Sequence, residues 1–414
     1  MGKPGMSIAV ATAFWLSGSV IPLKGSDSPG IGGMKVFPDD NPWNWDISSY
    51  PVHPNSDNYV KSIGENVNLH PDFGTVWEGA PIGIPYVVVH AGQTLFPVEY
   101  TAYGDESDPG PFPIPLDAAV EGGATADGDR HVIAVDIDNA RLYELYRAFP
   151  RADHWEAESG AAFDLTSNAV RPEGWTSADA AGLPIFPGLV RYEEVVILKQ
   201  IRHAIRFTVA RTQRKFIWPA RHFASSSTDP DLPPMGLRFR LKADFDVSGF
   251  SEPVQIILLA LKKHGMIVAD NGSNWFLSGA PDDRWDDEVL AELKRVPGSA
   301  MEAVLTVDGD GNPIFPSSAV RNRSEAQESG LHVSNFPNPF NSATVFRCHS
   351  SVPSRVQLTV YNLLGEAVDA IFDGFQPAGD FEVKWIPCRL NSGIYFCRLQ
   401  TGRMVMTGKI LYQR

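Results

Sequence analysis

Three kinds of side chain in this sequence are suited to chemistry, and each stands where the chain turns. Carboxylates crowd the loops: Asp105, Glu106 and Asp108 in a proline-laden stretch, Glu121 and Asp129 ahead of an apolar run, then Asp164 and Asp179. Glycosidic bonds are cut by two carboxyls held about 5 to 10 Å apart, one kept protonated by an apolar wall. Histidines follow arginines at Arg130-His131, Arg202-His203 and Arg221-His222. One such histidine beside an aspartate suits acid–base work, and three together suit a metal with an open position. Tryptophans recur near polar loops at Trp43, Trp45, Trp155, Trp175, Trp218, Trp275 and Trp285. Their flat faces suit the apolar faces of sugar rings, and they also fill cores. The plainer readings are capped turns for the acids and half-buried strand ends for the histidines.

From these we take Asp129, His131, His203, His222, Glu106 and Asp164 as candidate catalytic residues. Trp175, Trp218, Trp275 and Arg238 are the candidate substrate contacts. No residues are assigned to a metal, and no cofactor is named. There is no Gly-rich phosphate loop, no Ser or Cys nucleophile elbow and no H-E-x-x-H zinc signature. The three cysteines, Cys348, Cys388 and Cys397, all fall in the last seventy residues. The body therefore has no thiol nucleophile, disulfide or zinc–thiolate site.

The elements that must position these groups are mostly strands. The chain has 414 residues, 43% hydrophobic and 20% charged, with 33 prolines and 36 glycines. That length predicts two domains or more, and the aromatic and turn content predicts a β-rich fold. The net charge of −14 argues against nucleic acid or an anionic membrane surface as ligand.

Strands are predicted at 84–90, 98–103, 161–165, 189–198, 204–209 and 215–218, with a hairpin pairing 131–136 and 141–146. Leu237-Arg238-Phe239-Arg240-Leu241 alternates with period two and predicts a half-exposed strand that would offer Arg238 to a ligand. A helix starts at Glu252-Pro253, carries Val254, Ile257, Leu258 and Leu261 on one face, and ends at Gly265. A strand follows at 266–269, expected to pair with 275–277, then a short helix over 286–295. Residues 177–181 read as a helical turn. Asp308-Gly309-Asp310-Gly311-Asn312 looks like a calcium loop, but Ala319 stands where the closing Glu belongs, so a turn is the better reading.

The domain plan is a signal or linker over 1–33, a working body over 34–306, a polar linker over 307–330 and a tail over 331–414. Ile8 to Leu16 has the length of a signal-peptide core and is too short to span a bilayer. No other run approaches a membrane-spanning length. The tail is short alternating strands and turns, seven in about eighty residues, which predicts a small β-sandwich. The fold class is α+β, mostly β: a β-rich body with one or two helices, then that sandwich.

The tail resembles the C-terminal sorting domain of proteins exported by the bacterial type IX (Por) secretion system. The residues are Phe336-Pro337-Asn338-Pro339-Phe340-Asn341, Val360 to Gly365, Pro377-Ala378-Gly379, Ser392 to Phe396 and Lys409-Ile410-Leu411. The resemblance implies export across both membranes, with the secretion machinery as partner, and a place outside the cell or on its outer surface. The body resembles secreted bacterial proteins of unassigned function. A shorter likeness links Phe163-Asp164-Leu165 and residues 182–195 to expansin-like double-psi barrels, which would make Asp164 the acid.

The expectation for function is a secreted enzyme, a hydrolase or lyase, acting on extracellular polysaccharide. The alternatives are a glycan-binding or adhesion module without catalysis and, below it, a metal-dependent hydrolase.

Overall fold

A computed structural model describes residues 30–31, 33–309, 311–315, 331–350, 354–363, 366–377, 379–387, 390–401 and 404–413. The signal-like run, most of the polar linker and Cys388 lie outside the described residues.

The largest sheet has six strands in the order His70–Asp72, Phe276–Ser278, Ile205–Val209, Met266–Asn271, Arg238–Leu241 and Met301–Val304. It is mixed: Ile205–Val209 runs parallel to Met266–Asn271 and antiparallel to Phe276–Ser278. The helix Glu252–Lys263 forms as its stripe predicts and buries Val254, Ile257, Leu258 and Leu261 in the main core. Gly265 ends it with φ +68, and a Cβ there would lie 2.2 Å from the Phe239 carbonyl. Only glycine lets the chain turn back this tightly into the next strand.

A second sheet has the order Ser159–Asp164, Arg141–Tyr146, Val132–Asp136 and Tyr86–Val89. Its central hairpin pairs Val132 with Leu145 and Asp136 with Arg141, as predicted. The second expected helix is a single α turn, Asp287–Leu290, continued as 3-10 over Ala291–Arg295.

Several local readings are corrected. Residues 189–198 form no strand but a π-helical turn at Glu193–Ile197. Lys215 to Trp218 reduces to one bridge between Phe216 and Met235. Residues 177–181 are no helix: bends at 178–179 lead into a single hydrogen-bonded turn closed by Gly182 N on the Asp179 carbonyl. The strand Phe276–Ser278 pairs with Ile205–Val209 and His70–Asp72, not with Met266–Asn271.

The Arg238–Leu241 strand is buried on both faces, against the expectation of a half-exposed one. Its arginines point into the segment 42–50, which lies over it. Arg240 donates to the carbonyls of Ile47, Ser48 and Tyr50 and pairs with Glu302 at 2.7 Å. Arg238 donates to those of His264 and Pro42. A guanidinium has five donors in a fixed fork, so it can satisfy an irregular segment whose own carbonyls lack a ladder. Alternation here marks two chemistries of burial, not an inside and an outside.

The tail forms two antiparallel sheets. One orders Leu331–Phe336, Thr344–Ser350 and Gly379–Trp385; the other orders Ala367–Gln376, Ser354–Tyr361, Gly393–Thr401 and Met404–Tyr412. Phe346, Val356, Leu358, Leu399 and Ile410 lie in the core between them. The opening motif has a structural task. Asn338 accepts from Leu411 N and donates to the Lys409 carbonyl. Phe340 is buried with its ring 5.1 Å from Tyr412 and 5.6 Å from Trp385. The motif thereby clamps the last strand onto the sandwich.

Candidate functional site

A cluster of ionisable groups gathers around Arg206 on the six-stranded sheet. In register, Asp72 sits opposite Ser278. Arg206, on the neighbouring strand, donates to Ser278 Oγ at 2.7 Å. The same guanidinium grips both oxygens of Asp179 at 2.8 Å, and one of its nitrogens also reaches Asp270 at 3.3 Å. Asp179 is sealed from solvent, while Asp270 keeps 21% of its side chain accessible. A planar fork is the group that can hold two carboxylates at once.

Asp179 is delivered by the 176–183 loop, which several bonds fasten down. Ala181 N donates to the Ala269 carbonyl, tying the loop to the strand that carries Asp270. Ser177 Oγ donates to the Leu183 carbonyl and accepts from Asp179 N. His131 Nε2 donates to the Ala178 carbonyl at 3.0 Å, and His222 Nδ1 to that of Ala180 at 2.8 Å. From the outside Glu106 accepts from Thr176 N, and Arg171 links Asp108, the Glu106 carbonyl and the Thr176 carbonyl. The proline-stiffened loop thus buttresses the site loop. It also walls an open, mainly apolar cavity of about 450 Å³ with Pro97, Tyr100, Pro109 and Pro111.

His131 is buried and places Nδ1 2.6 Å from Glu121. Both ring nitrogens face acceptors, so the ring holds both protons. Burial opposes the charged ring, but the Glu121 charge and hydrogen bond outweigh it and lift His131 to about 9. Burial likewise pushes Glu121 up, and the His131 charge and bonds bring it net below the ordinary value. Asp270 goes the other way: burial first, then the Asp179 charge, raise it despite Arg206. Asp72 is open to solvent, yet enough protein surrounds it that lost hydration, then the Glu121 charge, raise it too. Glu144 is fully buried, accepts from Ile185 N and Phe186 N, and is pushed by burial up to about 7. Around His131 and Arg206 the carboxyls outnumber the cations, and burial raises Glu144 and Asp270 above the ordinary carboxylate range.

The predicted residues divide accordingly. His131 is inside this cluster, and Asp129 is exposed beside it, its charge reaching His131, Asp72 and Tyr146. His222 and Glu106 position the loop. His203 stands apart, bonded to Glu194 at 3.1 Å and to the Ala204 carbonyl. Asp164 is exposed, caps Thr166 and faces Arg141 at 3.8 Å. Trp175 is half-buried with Arg171 over its ring, and Trp218 packs on Trp45. Trp275 is wholly buried, stacked on Phe207 with its indole N–H bonded to the Gly64 carbonyl. Neither it nor the buried Arg238 offers a face to a sugar. Among the described residues, no three His, Cys, Asp or Glu side chains are grouped so as to hold a metal ion.

Sequence reasoning missed Asp72, Glu144, Arg206 and Asp270. Two carried a signal: Arg206 and Glu144 interrupt otherwise apolar strand runs, Ala204 to Val209 and Leu142 to Leu145. A charge inside such a run is costly unless it is paired or proton-holding.

Comparison with known proteins bears on the tail. The chain matches no curated protein. Among solved structures it is similar in part to latent PorU from Porphyromonas gingivalis, at 19% identity and a TM-score of 0.17, over 20% of this chain and 9% of that one. It is similar to PorZ of the same organism, a surface component of the type IX secretion system, at 15% identity and 0.17, over 28% and 15%. An engineered protein gives 12% and 0.18, over 39% and 36%. The chain thus spans less than two-fifths of each, and these likenesses leave the body's chemistry untouched. No helix among the described residues is long and apolar enough to cross a membrane. Residues 334–413 match the family model of the secretion system C-terminal sorting domain, so the chain carries at its end the type IX label that marks proteins for secretion or attachment to the outer cell surface.

Proposed function

We propose that the body of this exported protein, residues 34–306, cleaves extracellular polysaccharide by acid–base catalysis at the Arg206 cluster. The observation that carries this is the pair Asp179 and Asp270 on one guanidinium nitrogen, the first sealed and the second accessible. Two carboxyls sharing a site cannot both ionise freely, and burial with the Asp179 charge raises Asp270, which has only the longer 3.3 Å contact to Arg206. Asp179 is held by two bonds from the Arg206 guanidinium. Asp270 keeps its proton and gives it to the leaving oxygen of a glycosidic bond, and Arg206 stabilises the carboxylate that results. Asp72 and Asp129, on the open side, are the candidates to activate water or draw a proton from the sugar. His131 with Glu121 positions the site loop through the Ala178 carbonyl.

The test is reducing-end release from a panel of polysaccharides by the full chain and by Asp270→Asn. The reading expects cleavage of at least one polysaccharide and a loss of about 100-fold or more in the variant, in line with the weight of a general acid. Full turnover by a folded Asp270→Asn protein would refute the assignment. Binding without cleavage by the wild type would favour the adhesion reading.

A further inference from the structure

The tail holds two buried thiols on opposite sheets. Cys348 lies on Thr344–Ser350, the central strand of its sheet, in register with Val333 on one side and Phe381 on the other. Cys397 lies on Gly393–Thr401, in register with Val360 and Gly408. Both belong to the single core between the two sheets, and both are buried.

A bare glycine marks where they approach. A Cβ at Gly408 would stand 2.9 Å from Cys397 Sγ and 3.9 Å from Val333 Cγ1. Val333 is the cross-strand neighbour of Cys348. Neighbours across an antiparallel pair lie about 4.5 to 5.5 Å apart at Cβ. The two cysteines therefore reach toward the same small region from the two sheets. Burial, and then the charge of Cys397, push the Cys348 thiol up to about 12, so each sulfur lies within electrostatic reach of the other.

We propose that Cys348 and Cys397 join in a disulfide across the sandwich once the protein has left the cytoplasm. Outside, disulfides persist, whereas in the cytosol thiols stay reduced. The step is thiol–disulfide exchange. One thiolate attacks the disulfide of an exported oxidoreductase, and the second displaces that enzyme's sulfur from the mixed disulfide. An S–S bond forms here, the oxidoreductase's disulfide becomes a dithiol, and the protons of the two thiols pass to it. Gly408 leaves the space that a side chain would deny to the bridge. Cys388 is then the odd thiol. The bond restrains the long intervening stretch in the unfolded chain, which favours the folded tail.

The test is cysteine mapping on full-length protein collected from outside the producing cells. The sample is alkylated while unfolded without reductant, then digested and weighed. The proposal expects alkylation at Cys388 alone, and a peptide pair linked through Cys348 and Cys397. In Cys348→Ser it expects Cys388 and Cys397 both to be alkylated. Three alkylated cysteines in the wild type would overturn it. So would a blocked Cys397 in Cys348→Ser, because its partner would then be Cys388.

Discussion

The Glu121–His131 pair gives the sharpest prediction about the body. The perturbation is Glu121→Gln, which removes the charge and keeps the shape. His131 is lifted from 6.5 to about 9 in the folded protein. At 1.36 kcal/mol per unit, that is about 3 kcal/mol of stability held by the protonated ring. The side chain is 2% exposed, so solvent screening takes little from this figure. Because the folded value is raised, the contribution is complete below pH 6.5 and is lost as pH rises through about 9. The lowered Glu121 is the same interaction seen from the acid side: it is present above its ordinary value and is lost as pH falls through the depressed one. The two are not added.

Urea unfolding followed by tryptophan fluorescence reads this out. Eight of the ten tryptophans lie between Trp43 and Trp285, so the signal reports the body. Wild type is expected to lose about 3 kcal/mol between the low and high ends of that pH window. Glu121→Gln should start lower and slope much less across it, because His131 there has lost the anion that chiefly holds its proton. An alkaline slope in the variant equal to that of wild type would refute the reasoning, since the slope would then belong to other groups.

Two further perturbations follow from packing. Arg206→Met leaves Asp179 sealed without its cation and should cost about 3–5 kcal/mol, the usual penalty for breaking a buried pair, in the same unfolding assay. Asp179→Asn added to it should recover part of that loss. In the tail, Phe340→Ala removes the ring that sits between Trp385 and Tyr412 and should cost about 3–5 kcal/mol of tail stability. Thermal unfolding of the tail transition and the amount of protein outside the cell should fall together, and export unchanged by a melted tail would show that the clamp is not what the machinery needs.

Elements with strong local periodicity were legible from sequence alone. The Glu252–Lys263 helix has a start signal, an apolar stripe and a glycine stop, and it forms over that span. The hairpin from Val132 to Tyr146 and the seven tail strands follow from alternation and turn residues. What could not be read is non-local. Arg206 meets Asp270 across 64 residues and Asp179 across 27, through a parallel pairing that no local pattern encodes. Glu193 to Ile197 is rich in β-formers, yet it turns as a π-helix, and Arg191 binds Glu194 within that turn. The candidate site was half legible. His131 and Asp129 were named for the right neighbourhood, whereas of the acids that share Arg206 one sits in a loop and the other near a strand end, where a lone Asp reads as a turn former. The arginines at 238 and 240 misled for a related reason: charge was taken as exposure, but here it satisfies the carbonyls of a buried loop.

The central claim is that Asp270, beside Asp179 on the Arg206 guanidinium, holds a proton near neutral pH. Carbon-13 NMR of the aspartate side-chain carboxyls, titrated on the full chain, measures this directly without any substrate. The account predicts two aspartate signals that titrate above the ordinary value of 3.8, those of Asp72 and Asp270, one of which is missing from Asp270→Asn. If every aspartate titrates at or below that value, or both raised signals survive in Asp270→Asn, the account is contradicted.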